Sequence, residues 1–252
     1  MIISVIFILT LTRPVYSSFQ HIPISISITQ SEKNAIELET NKEHITGKTH
    51  TTSFMPNNKS KYDNNNDGDN SIRLLTINQL SRPNACTYWL TPNILAGEYP
   101  TSKLGKEETR KKLFQYLEKG ITYFIDLTQE GEKDIYESLL LEEANKSSTL
   151  SISYKRIPIQ DFGIPQKNQM KDILDTIDGA VQNNQKVYVH CKGGIGRTGT
   201  TVGCYLVRHG YDGEEALENV NRLFQFSKRS MESSFSPETR EQMNFVRDWN
   251  EE

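Results

Sequence analysis

The chain has 252 residues, a formal net charge of −3 at pH 7 and three cysteines. A mildly acidic chain lacks the basic surface typical of nucleic-acid-binding proteins, so no nucleic-acid partner is expected. Three cysteines at this length do not form the disulfide framework of a small secreted domain. The length exceeds the roughly 100–200 residues of one domain, which indicates a folded domain with an extension.

The chain begins with an apolar segment. Residues 2–12 read IISVIFILTLT, which is too short for a membrane helix because such a helix needs about 20 residues. We therefore predict no stable membrane span and interpret residues 1–17 as a signal or leader segment that ends at Val15-Tyr16-Ser17. An organellar leader or an unprocessed extension is the alternative, since no lysine or arginine precedes the apolar run.

Polar residues dominate the following segment. Residues 57–70 read NNKSKYDNNNDGDN. Such a composition buries too little apolar surface to offset the entropy lost on ordering. We predict that residues 18–84 are a low-complexity, largely disordered N-terminal extension and that residues 85–252 form the folded domain.

From residue 85 onwards the hydrophobic pattern is periodic and predicts alternating strands and helices. Strands are predicted at residues 87–90, 94–96, 122–127, 151–157 and 186–190. Helices are predicted at residues 107–118, 134–144, 166–185, 199–208 and 214–224, with a last helix capped by Ser236 and started by Pro237. Strands separated by helices pair in parallel, so the predicted fold class is α/β: a three-layer sandwich with a central, mostly parallel sheet flanked by helices.

One glycine-rich loop combines a nucleophile with a fixed cation. Residues 187–199 read VYVHCKGGIGRTG, so a predicted strand leads to Cys191, and Arg197 closes the turn before a predicted helix. A helix N-terminus binds oxyanions and stabilises a thiolate. Cys191 is therefore predicted to be a nucleophile, and Arg197 is predicted to bind two phosphate oxygens with its planar guanidinium.

The neighbouring residues are predicted to support this chemistry. The predicted phosphate-binding residues are Lys192, Gly193, Gly194, Ile195, Gly196 and Arg197. The glycines permit positive φ and let backbone amides crowd around an anion. Thr198 places a hydroxyl where it can hydrogen-bond the sulfur, and His190 is expected to orient the loop through hydrogen bonds.

The motif His190-Cys191, five residues, then Arg197-Thr198-Gly199 resembles the signature loop of cysteine-dependent protein tyrosine and dual-specificity phosphatases. The longer run over residues 187–210 resembles the compact dual-specificity-like branch found in microbes. The resemblance covers about residues 85–250. It implies a dual-specificity phosphatase-like fold, a phosphocysteine intermediate and a general acid upstream of the loop.

Asp161 is the predicted general acid. It lies 30 residues before Cys191, in a stretch that Pro158, Gly163 and Pro165 mark as a loop, and this spacing is similar to that of the family's acid loop. Asp161 would protonate the leaving group and then, as a carboxylate, activate water. Gly163 would let the loop close over substrate. The alternative is a turn aspartate that caps the following helix.

The resemblance implies a phosphorylated protein as substrate. The larger tyrosine phosphatases carry a tyrosine-bearing recognition loop that this chain lacks, so a shallower cleft is expected to admit phosphoserine and phosphothreonine beside phosphotyrosine. No metal and no cofactor are expected, because the loop amides and Arg197 already supply the positive field. The alternatives are a phosphoinositide or RNA 5′-phosphatase, a sulfurtransferase, an arsenate reductase or a phosphoprotein-binding module.

Three further residues receive structural interpretations. Residues 238–242 resemble the place where larger tyrosine phosphatases carry water-positioning glutamines, but Gln242 is predicted to be a surface residue. Cys86 and Cys204 are predicted to be core residues rather than redox partners of Cys191.

Thiolate chemistry favours the cytoplasm, whereas the apolar N-terminus favours a secreted or organellar location. The sequence therefore leaves the compartment open, as it does the oligomeric state and the physiological substrate.

Overall fold

The computed structural model describes residue 78 and residues 80–146 and 151–251. The predicted leader at residues 1–17 lies outside the described residues, and so does most of the predicted extension at residues 18–84. Both assignments therefore stay predictions.

A five-stranded sheet forms the centre of the domain. Its strands are β1 (Thr87–Thr91), β2 (Ile94–Gly97), β3 (Ile121–Asp126), β4 (Ser153–Arg156) and β5 (Lys186–His190). The spatial order is β1-β2-β5-β3-β4, and every neighbouring pair is parallel except β1 with β2. The two strands of the antiparallel pair are joined by a tight turn, whereas the parallel strands need crossover connections.

Helices cover both faces of this sheet. They are α1 (Lys106–Glu118), α2 (Glu137–Asn145), α3 (Lys167–Gln182), α4 (Gly196–Arg208), α5 (Gly213–Phe224) and α6 (Arg240–Arg247). One hydrophobic cluster joins the sheet to α1 and α2, and a second joins its other face to α3, α4, α5 and α6. The predicted three-layer α/β sandwich is therefore confirmed.

Neighbouring residues of the central strands point to opposite layers. Phe124 and Tyr188 belong to the cluster with α1 and α2, whereas Ile125, Val187 and Val189 belong to the cluster on the opposite face. A strand that is buried on both faces has no polar side, which explains why these strands are continuously apolar in the sequence.

The C-terminal helix begins later than predicted. Helix α6 starts at Arg240, and its N-cap is Thr239, whose side chain accepts a hydrogen bond from the Gln242 amide. Ser236 is not the cap, because its hydroxyl donates to the Ile195 carbonyl at 2.8 Å. This contact ties the segment before α6 to the glycine-rich loop.

The sheet brings the ends of several strands to one edge. In the register of the parallel strands, Gly97 and Asp126 are each paired with His190, and Arg156 is paired with Asp126. The loops after β3, β4 and β5 therefore leave the sheet side by side. Ligands in open α/β sheets bind outside the carboxyl ends of the strands, at this edge.

No helix among the described residues is long and apolar enough to cross a membrane. Cys204 is fully buried in the core, as predicted. The prediction that Cys86 is a core residue is wrong, because Cys86 lies just before β1 and is partly exposed.

Candidate active site

Cys191 is buried directly after β5, with 3% of its surface exposed. Its Sγ accepts a hydrogen bond from the Gly194 amide at 3.2 Å. Gly194 has a φ of +72°, and a Cβ at this position would lie 2.4 Å from the Gly97 carbonyl carbon. The turn therefore requires glycine at Gly194, whereas Gly193 and Gly196 do not adopt a positive φ.

Arg197 lies in the first turn of α4, which begins three residues earlier than predicted, at Gly196. Its side chain is 1% exposed. The guanidinium donates to the carbonyls of Ile159 at 3.0 Å and Leu127 at 3.4 Å. These two carbonyls follow β4 and β3, so the backbone at the edge of the sheet fixes the orientation of the guanidinium.

Two carboxylates complete the environment of Arg197. Glu132 accepts two hydrogen bonds from the guanidinium, at 2.6 and 2.8 Å, and Asp161 accepts one at 2.8 Å. Burial is the largest single influence and opposes the charged guanidinium, but the hydrogen bond with Glu132 and the charges of Cys191, Glu132 and Asp161 together raise the pKa of Arg197 above its ordinary value. The same hydrogen bond lowers the pKa of Glu132.

Glu132 is a site residue that the sequence reasoning missed. It lies in the loop after β3, which the register places beside the loops that carry Cys191 and Asp161. The available signal was an acidic residue shortly after a continuously apolar strand, because such a loop ends at the ligand-binding edge of a parallel sheet.

Asp161 lies in a turn after β4, close to both cations of the glycine-rich loop. One carboxylate oxygen is 2.8 Å from Arg197 Nη2, and the other is 3.8 Å from Lys192 Nζ. Asp161 does not cap α3, because the N-cap of that helix is Gln166 and no side chain caps it. The left-handed residue of the turn is Phe162, with a φ of +60°, and not Gly163.

Gln242 is fully buried, so its prediction as a surface residue is wrong. Its Nε2 donates to the Gly163 carbonyl at 3.0 Å, and its Oε1 accepts from the amides of Glu238 and Thr239 at 3.1 Å. A Cβ on Gly196 would lie 2.8 Å from Gln242 Oε1, so glycine makes room for the carboxamide. Gln242 therefore braces the Asp161 loop against the start of α4.

A cavity of about 170 Å³ opens at this edge of the sheet. Of the predicted residues, it is lined by Cys191, Lys192, Gly193, Ile195, Gly196, Arg197 and Asp161. We call it the phosphate pocket. It combines a sulfur, a guanidinium and a carboxylate in a volume that admits a phosphoryl group.

Comparisons with known proteins find similarity to phosphatases. Residues 101–211 match the family model described as "Polymorphic toxin system, DSP-PTPase phosphatase". The chain is 33% identical over 125 residues to mouse protein tyrosine phosphatase domain-containing protein 1, a match that covers 47% of this chain and 16% of the mouse protein. It is 27% identical over 130 residues to the putative tyrosine phosphatase 067L of invertebrate iridescent virus 3, covering 49% of this chain and 46% of the viral protein.

The matched residues are therefore similar to dual-specificity-like cysteine phosphatase domains. The fold of the chain is similar to the crystal structure of Tk-PTP in the active form, with a TM-score of 0.51 at 22% identity over 65% of this chain and 95% of that one. The chain spans less than half of the length of these two curated relatives.

His190 is buried beneath the glycine-rich loop. Its Nε2 lies 2.7 Å from the Tyr136 hydroxyl, and its Nδ1 lies 3.4 Å from the Cys191 carbonyl. Burial lowers the pKa of His190 to about 4, so the imidazole is neutral near pH 7 and carries one N–H. A hydroxyl that donates to Nε2 leaves that N–H on Nδ1, where it can donate to the Cys191 carbonyl.

The prediction that the Thr198 hydroxyl hydrogen-bonds the Cys191 sulfur is wrong. This hydroxyl is buried and has no hydrogen-bond partner among the described residues, so it does not contact Cys191 Sγ. Because α4 begins at Gly196, Thr198 belongs to the helix, and the sulfur accepts from the Gly194 amide in the turn instead.

Two charged residues that were not predicted to belong to the site also line the phosphate pocket. Arg229, from a 3-10 helix at Lys228–Met231, donates through Nε to the Gly193 carbonyl at 3.3 Å. Glu238 was predicted in the first turn of the last helix but precedes α6. Burial first, and then the nearby Asp161 carboxylate, raise the pKa of Glu238. Both residues come from segments far along the chain, so only the tertiary packing brings them to the pocket.

Proposed function

We propose that this domain hydrolyses protein phosphomonoesters, chiefly phosphotyrosine and also phosphoserine and phosphothreonine, through a phosphocysteine on Cys191. The observation that carries the proposal is the phosphate pocket itself, where a buried sulfur and a buried guanidinium stand at the two ends of one loop with Asp161 against the guanidinium. The resemblance to phosphatase relatives supports the same reaction class.

Substrate binding exchanges one anion for another at Arg197. The guanidinium contacts Asp161 and Glu132 in this structure. A phosphoryl group in the pocket offers oxygens in the geometry that suits a guanidinium fork, so it competes with Asp161 for Nη2. Glu132 keeps two hydrogen bonds to the guanidinium and holds its plane while Asp161 moves.

In the first chemical step, the Cys191 thiolate attacks phosphorus. The Sγ–P bond forms as the bond between phosphorus and the leaving oxygen breaks, and Asp161 gives its proton to that oxygen. The Gly194 amide and the N-terminus of α4 stabilise the thiolate, and the loop amides with Arg197 stabilise the charge on the phosphoryl oxygens in the transition state.

In the second step, water attacks the phosphocysteine. The Asp161 carboxylate takes a proton from the water, the S–P bond breaks, and Cys191 leaves as a thiolate with release of inorganic phosphate. The proton that Asp161 gave up in the first step is thereby restored, and the enzyme returns to its starting state.

The rim of the pocket supports a protein substrate. Phe162 lines the phosphate pocket next to Asp161 and is 59% exposed, so it offers an aromatic face to the group that carries the phosphate. A phosphoinositide substrate is the second candidate, because Arg229 adds a cation beside Lys192 that favours a polyanionic headgroup.

The proposal is tested by hydrolysis of an aryl phosphate in the presence of EDTA. We expect turnover by the wild-type chain, no turnover by Cys191→Ser, and near wild-type turnover by Cys86→Ser, a matched control at a cysteine outside the pocket. Turnover that Cys191→Ser leaves unchanged would refute the phosphocysteine.

A further inference from the structure

A second cavity of about 460 Å³ adjoins the phosphate pocket. Five cations line it, against the two carboxylates of Glu98 and Asp134. The cations are Lys103, Lys112, Lys133, Lys192 and Arg229. We call this space the basic cavity. The lining residues carry an excess of three positive charges, of which Arg229 is also paired with Glu232 at 2.7 Å and Lys192 lies 3.8 Å from Asp161. The remaining positive charge attracts anions to this part of a chain with a net charge of −3.

Lys192 and Arg229 line both cavities. The two cavities therefore meet at these two cations. A ligand with one anionic group in the phosphate pocket can place a neighbouring anionic group in the basic cavity, on the other side of Lys192 and Arg229.

The cations of the basic cavity differ in what holds them. Lys112 pairs with Glu98 at 2.7 Å and donates to the carbonyls of Tyr99 and Thr101. Its positive charge is therefore already compensated by residues that line the cavity. Lys133 lies over the Tyr99 ring, 5.8 Å from its centroid, and Lys103 is exposed. Lys103 and Lys133 line the basic cavity but not the phosphate pocket, and they are the residues best placed to meet an added anion.

The spacing between the two cavities is set by the phosphate-binding loop. The Tyr99 amide donates to the Lys192 carbonyl at 3.2 Å, and Arg229 Nε donates to the Gly193 carbonyl at 3.3 Å. The wall of the basic cavity is thus hydrogen-bonded to the same loop that forms the phosphate pocket. A rigid spacing selects ligands by the distance between their two anionic groups.

We propose that the basic cavity is a second anion subsite, and that the preferred substrate is a peptide with a phosphate or carboxylate next to the phosphorylated residue. This inference rests on the proposed function. A peptide fits better than a polyphosphorylated ring because the phosphate pocket also presents Phe162, whose exposed aromatic face suits the aryl group of phosphotyrosine rather than a polyol.

The test compares three short peptides with a single central phosphotyrosine: one flanked by alanines, one flanked by glutamates, and one with a phosphothreonine beside the phosphotyrosine. For the wild-type chain we expect kcat/KM on either acidic peptide to exceed that on the alanine peptide by about tenfold. This ratio should fall as the salt concentration is raised, because salt screens the charges. The double variant K103E/K133E should lose this preference.

The matched control is Lys171→Glu, a charge reversal at an exposed position of α3 that lines neither cavity. It should retain the wild-type preference. Equal preference in the double variant and the wild-type chain would overturn the subsite, and so would a preference lost equally in Lys171→Glu. Hydrolysis of free inositol trisphosphate ahead of all three peptides would overturn the peptide assignment.

A binding measurement separates this inference from the proposed function. The fluorescent acidic and alanine peptides are titrated into Cys191→Ser with and without K103E/K133E. If the wild-type chain fails to hydrolyse any peptide while the acidic peptide still binds more tightly through Lys103 and Lys133, the proposed hydrolysis is wrong and the subsite stands. If the wild-type chain hydrolyses the peptides but Lys103 and Lys133 make no difference to binding, the subsite is wrong and the proposed hydrolysis stands.

Discussion

Replacing Glu132 by glutamine tests whether this carboxylate orients Arg197. Glu132 accepts hydrogen bonds of 2.6 and 2.8 Å from a guanidinium that is almost fully buried. Glutamine keeps one acceptor oxygen but turns an NH₂ group towards the guanidinium, so one charge-assisted hydrogen bond and the ion pair are lost. Arg197 retains Asp161 and the Ile159 and Leu127 carbonyls, so the cost falls below the roughly 3–5 kcal/mol of breaking an isolated buried pair.

We expect Glu132→Gln to lower the free energy of unfolding by about 2–3 kcal/mol, as for the loss of one hydrogen bond to a charged group. In a domain of this size the Tm should fall by roughly 4–12 °C, since each kcal/mol corresponds to about 2–4 °C. Urea and thermal unfolding measure both quantities, and kcat on an aryl phosphate should fall because the guanidinium is no longer held in one plane. Glu130→Gln, an exposed position of the same loop, is the matched control.

The pH dependence of stability follows from the same pair. Arg197 lowers the pKa of Glu132 in the folded protein below its ordinary value of 4.5. The stabilisation is therefore complete above the unfolded pKa and is lost as pH falls through the folded pKa. Wild type and Glu132→Gln should converge in stability under acid conditions, and equal melting of Glu132→Gln and Glu130→Gln at neutral pH would refute the orienting role.

Two further substitutions test the loop that carries the acid. Asp161→Ala should lower kcat on an aryl phosphate at least about a hundredfold while still trapping substrate, because the proton donor is lost and the phosphate ligands remain; unchanged kinetics would show that another carboxylate is the acid. Gln242→Ala removes the donor to the Gly163 carbonyl and the acceptor that serves the start of α6. It should lower the free energy of unfolding in urea by about 1–3 kcal/mol and should also lower kcat. A destabilised variant with wild-type kcat would mean that Gln242 stabilises the fold without positioning Asp161.

The predicted acid already contacts the guanidinium of Arg197, at 2.8 Å. The Asp161 carboxylate contacts part of the guanidinium surface that a phosphoryl group would use under the proposed function. Gln242 holds Gly163 in the same loop. The proposed function therefore requires at least a local shift of the Asp161 side chain when phosphate binds.

The sequence by itself determined most of the strands and helices of the domain and the loop that carries Cys191 and Arg197. Continuous apolar runs predicted β3 and β5 because strands buried on both faces lack a polar side. The glycine-rich loop between β5 and α4 was recognisable because a strand, a nucleophile, glycines and an arginine are adjacent in the chain. The position of Asp161 beside this loop could be predicted because prolines and a glycine mark its own loop and because parallel strands end at one edge, whereas its role as the acid stays a prediction.

Only the tertiary structure decided which distant side chains complete the site. Arg229, Glu238 and Gln242 carry no local pattern that separates them from surface residues, because their roles depend on contacts with loops far along the chain. Glu132 follows an apolar strand, but only the structure shows that its carboxylate meets Arg197. The start of α6 was missed for the same reason, since Ser236 donates to Ile195 instead of capping a helix. Local propensity predicts elements from neighbouring residues, whereas burial and charge pairing at the pocket depend on how the sheet edge brings separate loops together.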